Sequence, residues 1–281
     1  MLAADVKLLK PANVNLIETD VEELDITNFD DVKKFCAECQ PELILNCAAY
    51  TAVDKAEEEV GTAYAANEAG PKNLAIIAAN LQIPFVHIST DYVFFGDGSH
   101  PLSETDTCAP QGIYGKSKRA GEFAVENAGG KWVTIRTSWL YGKNGHNFPD
   151  TMLKLASERD KLTIVNDQKG SPTYSYDLAE AIWKLINKNA TGYVHFSNSG
   201  HCTWFDFAVE TVSEAKKLGI IPKEKNIDFV PVSSDEFKRP APRPSYSVMS
   251  TEKYTEITGA PPRSWQEGLH AFLKEKLGVG R

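Results

Sequence analysis

Strand-like and helix-like runs of hydrophobic residues alternate through the first half of the chain. The strand-like runs are short and apolar, and they cover 14–19, 42–47, 83–89 and 132–136. Hydrophobic residues at helical spacing occupy the intervening segments 27–39, 64–81 and 114–126. Short apolar runs between amphipathic helices are typical of parallel strands that are buried on both faces. The pattern predicts an α/β fold with a parallel sheet and helices on both faces.

The pattern becomes less regular after about residue 138. Longer loops containing Gly, Asn and Pro occur at 141–149, 166–173 and 233–246. Further helices are predicted over 174–187 and 205–218, with a strand over 193–196. We predict a second, smaller lobe built mainly from the C-terminal half, with loops that carry specificity.

Composition narrows the classes of function. The 281 residues have a formal net charge of -8, which disfavours a nucleic-acid partner because such a partner requires a broad basic face. No apolar run approaches the roughly 20 residues that cross a bilayer, and the first residues lack a signal-peptide pattern. We therefore expect a cytoplasmic protein that binds neither membrane nor nucleic acid.

The five cysteines do not indicate a disulfide framework, since their number is odd and their spacing irregular. Cys36 and Cys39 form a CxxC pair, but the pair lies inside a predicted helix and no second pair completes a zinc site. The interpretation is two small residues on one helix face in a reducing compartment.

One set of polar residues stands where an open parallel sheet binds ligands, beyond the carboxyl ends of its strands. Thr90 follows the strand-like run 83–89, and Tyr114 and Lys118 lie four residues apart on the next helix. A nearby ammonium favours the phenolate and lowers the pKa of a tyrosine from about 10. The three residues thus suit protonation of a developing alkoxide while a nicotinamide supplies hydride. The alternative is a surface Tyr–Lys pair with no chemical role.

Further motifs extend this interpretation along the chain. They are Ala-Tyr-Thr-Ala-Val-Asp at 49–54, Ser-Thr-Asp-Tyr-Val-Phe at 89–94, Tyr-Gly-Lys-Ser-Lys at 114–118, Arg-Thr-Ser-Trp-Leu-Tyr-Gly at 136–142, Asp-Gln-Lys-Gly-Ser-Pro-Thr at 167–173 and Arg-Pro-Ser-Tyr-Ser at 243–247. Together they resemble the dTDP-4-dehydrorhamnose reductase family of extended short-chain dehydrogenases/reductases, in order from about residue 13 to the end. The resemblance implies a Rossmann-like dinucleotide-binding domain over 1–138. It also implies a mainly substrate-binding lobe over 139–281, with some segments returning to the first domain.

The resemblance also implies a role for individual residues. Tyr114 would be the proton donor, Lys118 would bind the nicotinamide ribose and Thr90 would contact the sugar. Positions flanking the adenine or lining the cofactor loop match Asp25, Ile26, Ala49, Tyr50 and Thr51. Positions lining the substrate pocket match Val53, Asp91, Tyr92 and Trp139.

Each pocket assignment has a structural alternative: a core residue, a turn acid or a buried aromatic. In the basic loop 238–244, we favour Arg243 as a diphosphate ligand, because arginine offers bidentate donors. For Lys238 and Arg239, a ligand role and a solvated loop are equal alternatives. His87 and His195 lie in apolar strands and are interpreted as core residues with satisfied hydrogen bonds.

The implied reaction is reduction of dTDP-4-dehydro-L-rhamnose to dTDP-L-rhamnose by NADPH or NADH, in dTDP-rhamnose biosynthesis for cell-wall polysaccharide. Asp20 and Glu22 would suit a hydrogen bond to a ribose 2′-hydroxyl, but they do not decide between NADH and NADPH. The alternatives are a non-catalytic regulatory subunit and a sugar-nucleotide epimerase or dehydratase.

A homodimer is possible. Gln266 stands where relatives have a glutamate at an intersubunit magnesium site, so no metal is predicted.

One departure from the family concerns the N-terminal strand and Gly-rich turn, for which this sequence has no counterpart. Residues 5–10 resemble the end of the helix that follows that turn. A misplaced or shortened start is the favoured explanation; a segment supplied by a partner and a relative without cofactor binding are the alternatives. We expect weaker binding of the cofactor diphosphate, since such turns present backbone N–H groups and a helix N-terminus to it.

Overall fold

The strands and helices alternate as the hydrophobic pattern predicts. The computed structural model describes residues 1–95, 98 and 100–279. Its strands are β1 (Ile44–Asn46), β2 (Phe85–Thr90), β3 (Trp132–Thr137), β4 (Leu140–Tyr141), β5 (Lys161–Val165), β6 (Lys169–Gly170), β7 (Thr173–Tyr174), β8 (Gly192–His195), β9 (Cys202–Thr203) and β10 (Asp228–Val232). Its α-helices are α1 (Leu2–Leu8), α2 (Phe29–Cys39), α3 (Val60–Tyr64), α4 (Gly70–Leu81), α5 (Ile113–Ala128), α6 (Phe148–Glu158), α7 (Ser175–Asn187), α8 (Trp204–Lys217), α9 (Glu252–Thr258) and α10 (Trp265–Lys276). None of the described helices is both long and apolar enough to cross a membrane.

The central sheet is parallel, with strand order β1-β2-β3-β8. On one face, Phe85 packs with Leu74 and Ile77 of α4 and Val125 of α5. On the other face, α1 and α7 pack against the sheet through a cluster that includes Val6, Val133, Leu178, Ile182 and Val194. The predicted Rossmann-like α/β class, a parallel sheet with helices on both faces, is confirmed.

A second core forms in the C-terminal half. Helices α6, α8 and α10 enclose Leu153, Phe207 and Phe272, and β5 pairs in parallel with β10 beside them. Helix α7 and strand β8 instead belong to the central sheet, although they follow residue 138. The predicted domain boundary at residue 138 stays a prediction.

Two predicted elements are wrong. Residues 14–19 form no strand, and β1 pairs with β2 on one side only among the described residues. A strand requires a hydrogen-bonding neighbour, and none lies beside 14–19 in the described chain. The long helix predicted over 64–81 is α3 and α4 separated by a π-helical segment, Ala65–Ala69. Such π segments occur frequently at functional sites.

Helix α5 lies unusually close to this π-helical segment. The buried residues of α5 recur at helical spacing and include Gly115, Lys118, Gly121 and Val125. A Cβ added at Gly121 would collide with the backbone carbonyl oxygen of Asn67. The backbone of the π-helical segment can approach α5 this closely only because position 121 has no side chain.

We predict that Gly121→Ala lowers the free energy of unfolding by about 1–3 kcal/mol, because overpacking a rigid contact forces the backbone apart. Urea unfolding monitored by circular dichroism would measure the change. The matched control is Gly61→Ala in α3, where nothing lies within 4 Å of the added Cβ. Equal stability of the two variants would contradict close packing at Gly121.

Candidate functional site

The site lies beyond the carboxyl ends of β1, β2 and β3. The loop 47–54 follows β1, a 3-10 turn at Asp91–Val93 follows β2, and Ser138 and Trp139 follow β3. Because these strands are parallel, the three segments emerge at one edge of the sheet, where open α/β folds bind ligands. Helix α5 begins at the same edge. Its first backbone N–H, that of Ile113, donates to Glu57 Oε1 at 2.8 Å.

Tyr114, Thr90 and Lys118 form the centre of the site. The side chains of Tyr114 and Thr90 lie close enough to interact. Lys118 is buried, and its ammonium donates to the carbonyl oxygen of Ile88 at 2.6 Å. Burial lowers the pKa of Lys118 to about 8, while the charge of Glu122 opposes that shift. The three residues predicted as catalytic therefore lie together.

The prediction that Lys118 lowers the pKa of Tyr114 is wrong for the protein without bound ligands. Burial raises the pKa of Tyr114 to about 12, the Thr90 side chain opposes this rise, and the Asp91 charge adds to it. Sequence spacing placed Lys118 near Tyr114 but did not reveal how far the phenol is removed from water. A phenol that remains protonated near neutral pH is equipped to donate a proton.

The predicted cofactor residues occupy two places. Asp25 is exposed and its carboxylate accepts bonds from Thr27, while the backbone carbonyl of Ile26 accepts from Asn73 of α4 at 3.0 Å. Partly buried Ala49 and exposed Thr51 flank Tyr50 in the loop after β1. The phenol of Tyr50 donates to Glu59 at 2.7 Å.

Asn67 holds this loop in place, and the sequence motifs gave no indication of it. Its side chain accepts from Tyr50 N at 2.9 Å and donates to Tyr50 O at 3.0 Å and to Ser117 Oγ at 3.1 Å. Asn67 lies in the π-helical segment and is fully buried. In the sequence, Asn67 is one asparagine in an otherwise helical run, a feature too common to single it out.

Tyr92 and Asp91, two of the predicted substrate residues, lie in the turn after β2. The Tyr92 ring packs edge-on against the Tyr114 ring, with centroids 5.4 Å apart. Asp91 is buried and accepts a hydrogen bond from Thr90 Oγ1 at 3.0 Å; burial raises the pKa of Asp91 to about 6, although the side chains of Ser247 and Thr90 act to lower it. Arg243 contacts Asp54, the residue after Val53 in the loop that follows β1.

Arg243 is fixed by an acid from the motif at 49–54. Its Nη1 lies 2.9 Å from Asp54 Oδ1 and donates to the Ala241 carbonyl at 2.9 Å. Arg239, in the same loop, approaches Asp54 at 3.7 Å and is half exposed. Burial and the Asp91 charge raise the pKa of Tyr92, and the Arg243 charge opposes that rise.

Trp139 lies at the border between the sheet and the C-terminal lobe. Its backbone adopts a left-handed conformation, with φ 46°. Its indole stacks on that of Trp204, the first residue of α8, with ring centroids 3.6 Å apart and planes 7° apart. The Trp204 Nε1 donates to Gln168 at 3.1 Å. Sequence analysis found Trp139 but missed Trp204.

The two histidines differ. His195 fits the predicted core role, because its ring contacts the Leu102 carbonyl at 3.1 Å and Arg136 at 3.3 Å. His87 fits it only in part: Nδ1 contacts Asn46 at 3.2 Å, but Nε2 has no hydrogen-bond partner among the described residues. Burial lowers the pKa of both rings, so both are neutral. The described residues contain no group of three His, Cys, Asp or Glu side chains arranged to hold a metal.

Comparison with known proteins assigns the chain to a family. The model of the RmlD substrate binding domain matches residues 3–277. The spore coat polysaccharide biosynthesis protein SpsK of Bacillus subtilis is 40% identical over 268 residues, covering 95% of this chain and 91% of that protein. The dTDP-4-dehydrorhamnose reductase of Escherichia coli is 38% identical over 270 residues, covering 93% and 90%.

The solved structures show the same relationship. A crystal structure of dTDP-4-dehydrorhamnose reductase from Bacillus anthracis in complex with NADP superimposes with a TM-score of 0.91 at 40% identity, over 98% of this chain and 95% of that one. The chain belongs to the dTDP-4-dehydrorhamnose reductase family, whose fold and order of motifs it shares.

Proposed function

We propose that this protein reduces the C4 ketone of dTDP-4-dehydro-L-rhamnose to a hydroxyl, using NADPH or NADH, and so forms dTDP-L-rhamnose. The observation that carries the proposal is that the side chains of Tyr114 and Thr90 lie close enough to interact, with Lys118 one helical turn away, at the carboxyl edge of the sheet. A relative named as this reductase and a related structure with NADP support the same chemistry.

The residues present fit a nicotinamide cofactor. An ammonium has three N–H donors, and the hydrogen bond described for Lys118 uses one of them, on Ile88. Lys118 would hold the nicotinamide ribose, the loop at 49–51 would border the cofactor, and Asp25 with Ile26 would flank the adenine. When bound, the cofactor supplies the hydride.

Tyr114 is the proposed general acid. The ketone carbon receives the hydride, and the carbonyl oxygen accepts the proton from the Tyr114 hydroxyl, so the product carries one new C–H and one new O–H bond. Thr90 positions the ketone oxygen beside the phenol through its hydroxyl. Lys118 places a positive charge near the phenolate that remains, which favours that anion. The proton is then restored from solvent.

Arg243 is the proposed ligand of the substrate diphosphate. Within the described part of the chain, its contacts with Asp54 and Ala241 both use Nη1. The planar guanidinium therefore keeps donors for phosphate oxygens, which arginine binds in a bidentate manner. Tyr92, Asp91, Val53 and Trp139 are proposed to line the sugar and nucleotide pocket around it.

The setting of the reaction is part of the proposal. The protein would act in the cytoplasm, in accord with its free cysteines. The division at residue 138 would separate cofactor binding from most of the substrate binding. A homodimer remains a prediction.

The direct test follows loss of NADPH absorbance when dTDP-4-dehydro-L-rhamnose is added to the purified protein, with the product identified by mass spectrometry. The proposal expects one NADPH oxidised per dTDP-L-rhamnose formed. An epimerase or dehydratase would retain tightly bound NAD and oxidise no added NADPH. A regulatory subunit would bind no nicotinamide and would co-purify with an enzyme at fixed stoichiometry.

We predict that Tyr114→Phe lowers kcat by a factor of about 10²–10⁴, the range that general acid catalysis contributes. Steady-state kinetics with NADPH and the dTDP-sugar would measure it. Tyr64→Phe in α3 is the matched control, since Tyr64 has no proposed role, and it should retain full activity. If Tyr114→Phe turns over at the rate of the parent with hydride transfer rate-limiting, Tyr114 is not the acid.

We predict that Arg243→Ala raises KM for the dTDP-sugar about tenfold or more and changes kcat much less. A hydrogen bond to a charged group contributes about 1.5–3 kcal/mol, and a contact kept equally in ground and transition states acts on KM. Arg239→Ala in the same loop is the control and should change KM little. Equal KM values for the two variants would remove Arg243 from the diphosphate site.

A further inference from the structure

A buried ion pair joins α5 to β3. Glu122 and Arg136 are both almost fully removed from solvent. Arg136 Nε and Nη2 each donate to a different oxygen of Glu122 at 2.8 Å, and Arg119 adds a third bond at 2.9 Å. The two residues come from different elements, α5 and β3. Removing two charges from water is costly, so such a pair requires nearly complete compensation.

Glu122 lies one turn beyond Lys118 on α5. Tyr114, Lys118 and Glu122 recur every four residues, so they share one face of the helix. Lys118 and Glu122 are both buried on that face, where charges interact more strongly than in water. The described hydrogen bond of Lys118 goes to Ile88 O, which is a neutral dipole. An ammonium buried in this way loses its proton more easily unless a negative charge lies near it.

Apart from Glu122 and Arg119, the titratable groups near Lys118 are neutral. Cys47 follows β1, and burial raises the pKa of its thiol to about 12. His87 lies on β2, and burial lowers the pKa of its ring. Burial keeps the Tyr114 phenol protonated, with its pKa at about 12. Arg119, next along α5, is positive and is itself bonded to Glu122.

We propose that Glu122 is the buried counter-charge that keeps Lys118 protonated for cofactor binding, and that Arg136 is the positioning residue that fixes Glu122 there. The proposal rests on the role given to Lys118 in the proposed function. Glu122 and Arg136 would thus support cofactor binding without lining the cleft.

Arg136 is suited to this role because aromatic rings and hydrogen-bond partners hold its guanidinium in place. Its guanidinium lies between the rings of Phe94 and Tyr193, 4.9 Å and 4.3 Å from their centroids. Its Nη1 contacts His195 Nε2 at 3.3 Å, and burial lowers the pKa of His195 to about 3, so that ring is a neutral acceptor. With Arg136 immobile, both oxygens of Glu122 are fixed and the carboxylate cannot turn toward water.

The test is the pH dependence of NADPH affinity, which requires no turnover. We would measure the Kd of the full chain from about pH 6 to pH 10 by NADPH fluorescence. Affinity should weaken as pH rises through the pKa of Lys118, near 8. In Glu122→Gln the midpoint should move toward lower pH by about 1 pH unit, because a nearby opposite charge raises the pKa of an ammonium. Lys118→Arg, which stays charged, should abolish the transition.

Control variants distinguish the loss of the Glu122 charge from the loss of the folded structure. Glu122→Asp retains the charge and should keep the midpoint of the parent. Because Glu122→Gln leaves Arg136 without its partner, the double variant Glu122→Gln with Arg136→Gln exchanges the ion pair for two neutral amides. Its midpoint should move in the same direction but by less, because a positive charge is removed as well. Circular dichroism would confirm folding in each case. An unchanged midpoint in a folded Gln variant overturns the proposal, and so does failure of both neutral variants to fold, which would make the pair structural.

The outcomes also separate this proposal from the proposed function. If the protein binds NADPH with the expected pH shifts but does not reduce the dTDP-sugar, the counter-charge stands and the substrate assignment fails. If the protein reduces the sugar and Glu122→Gln leaves the binding midpoint unchanged, the reductase stands and the counter-charge fails. If NADPH does not bind at any pH, both proposals are overturned.

Discussion

The close contact of α5 with the sheet and with the segment before α4 is the constraint on which the rest of the site depends. Added Cβ atoms at Gly115 and Gly121 would collide with the backbone carbonyls of Tyr92 and Asn67. Those two carbonyls belong to the turn after β2 and to the π-helical segment. The missing side chains therefore allow α5 to lie against both. This contact places Tyr114 beside Thr90 and places Lys118 within reach of Ile88 O.

The same contact explains why the polar groups of the site can be buried. Asn67 is fully buried, yet its amide bonds to both backbone groups of Tyr50 and to Ser117, so the loop after β1 is tied to α5. Arg136 and Glu122 satisfy each other across α5 and β3. Buried polar networks of this kind are stable only when nearly every member has a partner. The site is thus held by an interlocked network rather than by a flexible loop, which suits a reaction that depends on position.

The sequence was sufficient for the parts that depend on local spacing. The order of the motifs and the strand before Thr90 predicted the parallel sheet. The i, i+4 relation of Tyr114 and Lys118 predicted that these two residues lie near each other, at the end of that strand. The sequence was not sufficient where tertiary contacts decide the outcome. Residues 14–19 have the apolar pattern of a strand, but pairing requires a neighbour that periodicity does not report. The pKa of Tyr114 is set by burial, which spacing does not measure.

The roles of Asn67, Glu122 and Trp204 were also beyond the sequence, because each acts through partners far along the chain. Asn67 contacts residues 17 and 50 positions away, and Glu122 meets Arg136 from the next strand. Trp204 stacks on Trp139, which lies far before it in the chain. Polar residues in helices and lone aromatics are too common to single out. Their contacts assign them roles only after the fold is known.

Isotope transfer tests the central claim, reduction of a ketone at C4, most directly. The protein would be incubated with dTDP-4-dehydro-L-rhamnose and NADPH that carries deuterium at nicotinamide C4, in separate samples for the two faces of the ring. The account predicts that deuterium from one of the two samples appears at C4 of the dTDP-L-rhamnose formed, as located by mass spectrometry and NMR. Product without deuterium at C4 in both samples, or no product with either, would contradict it.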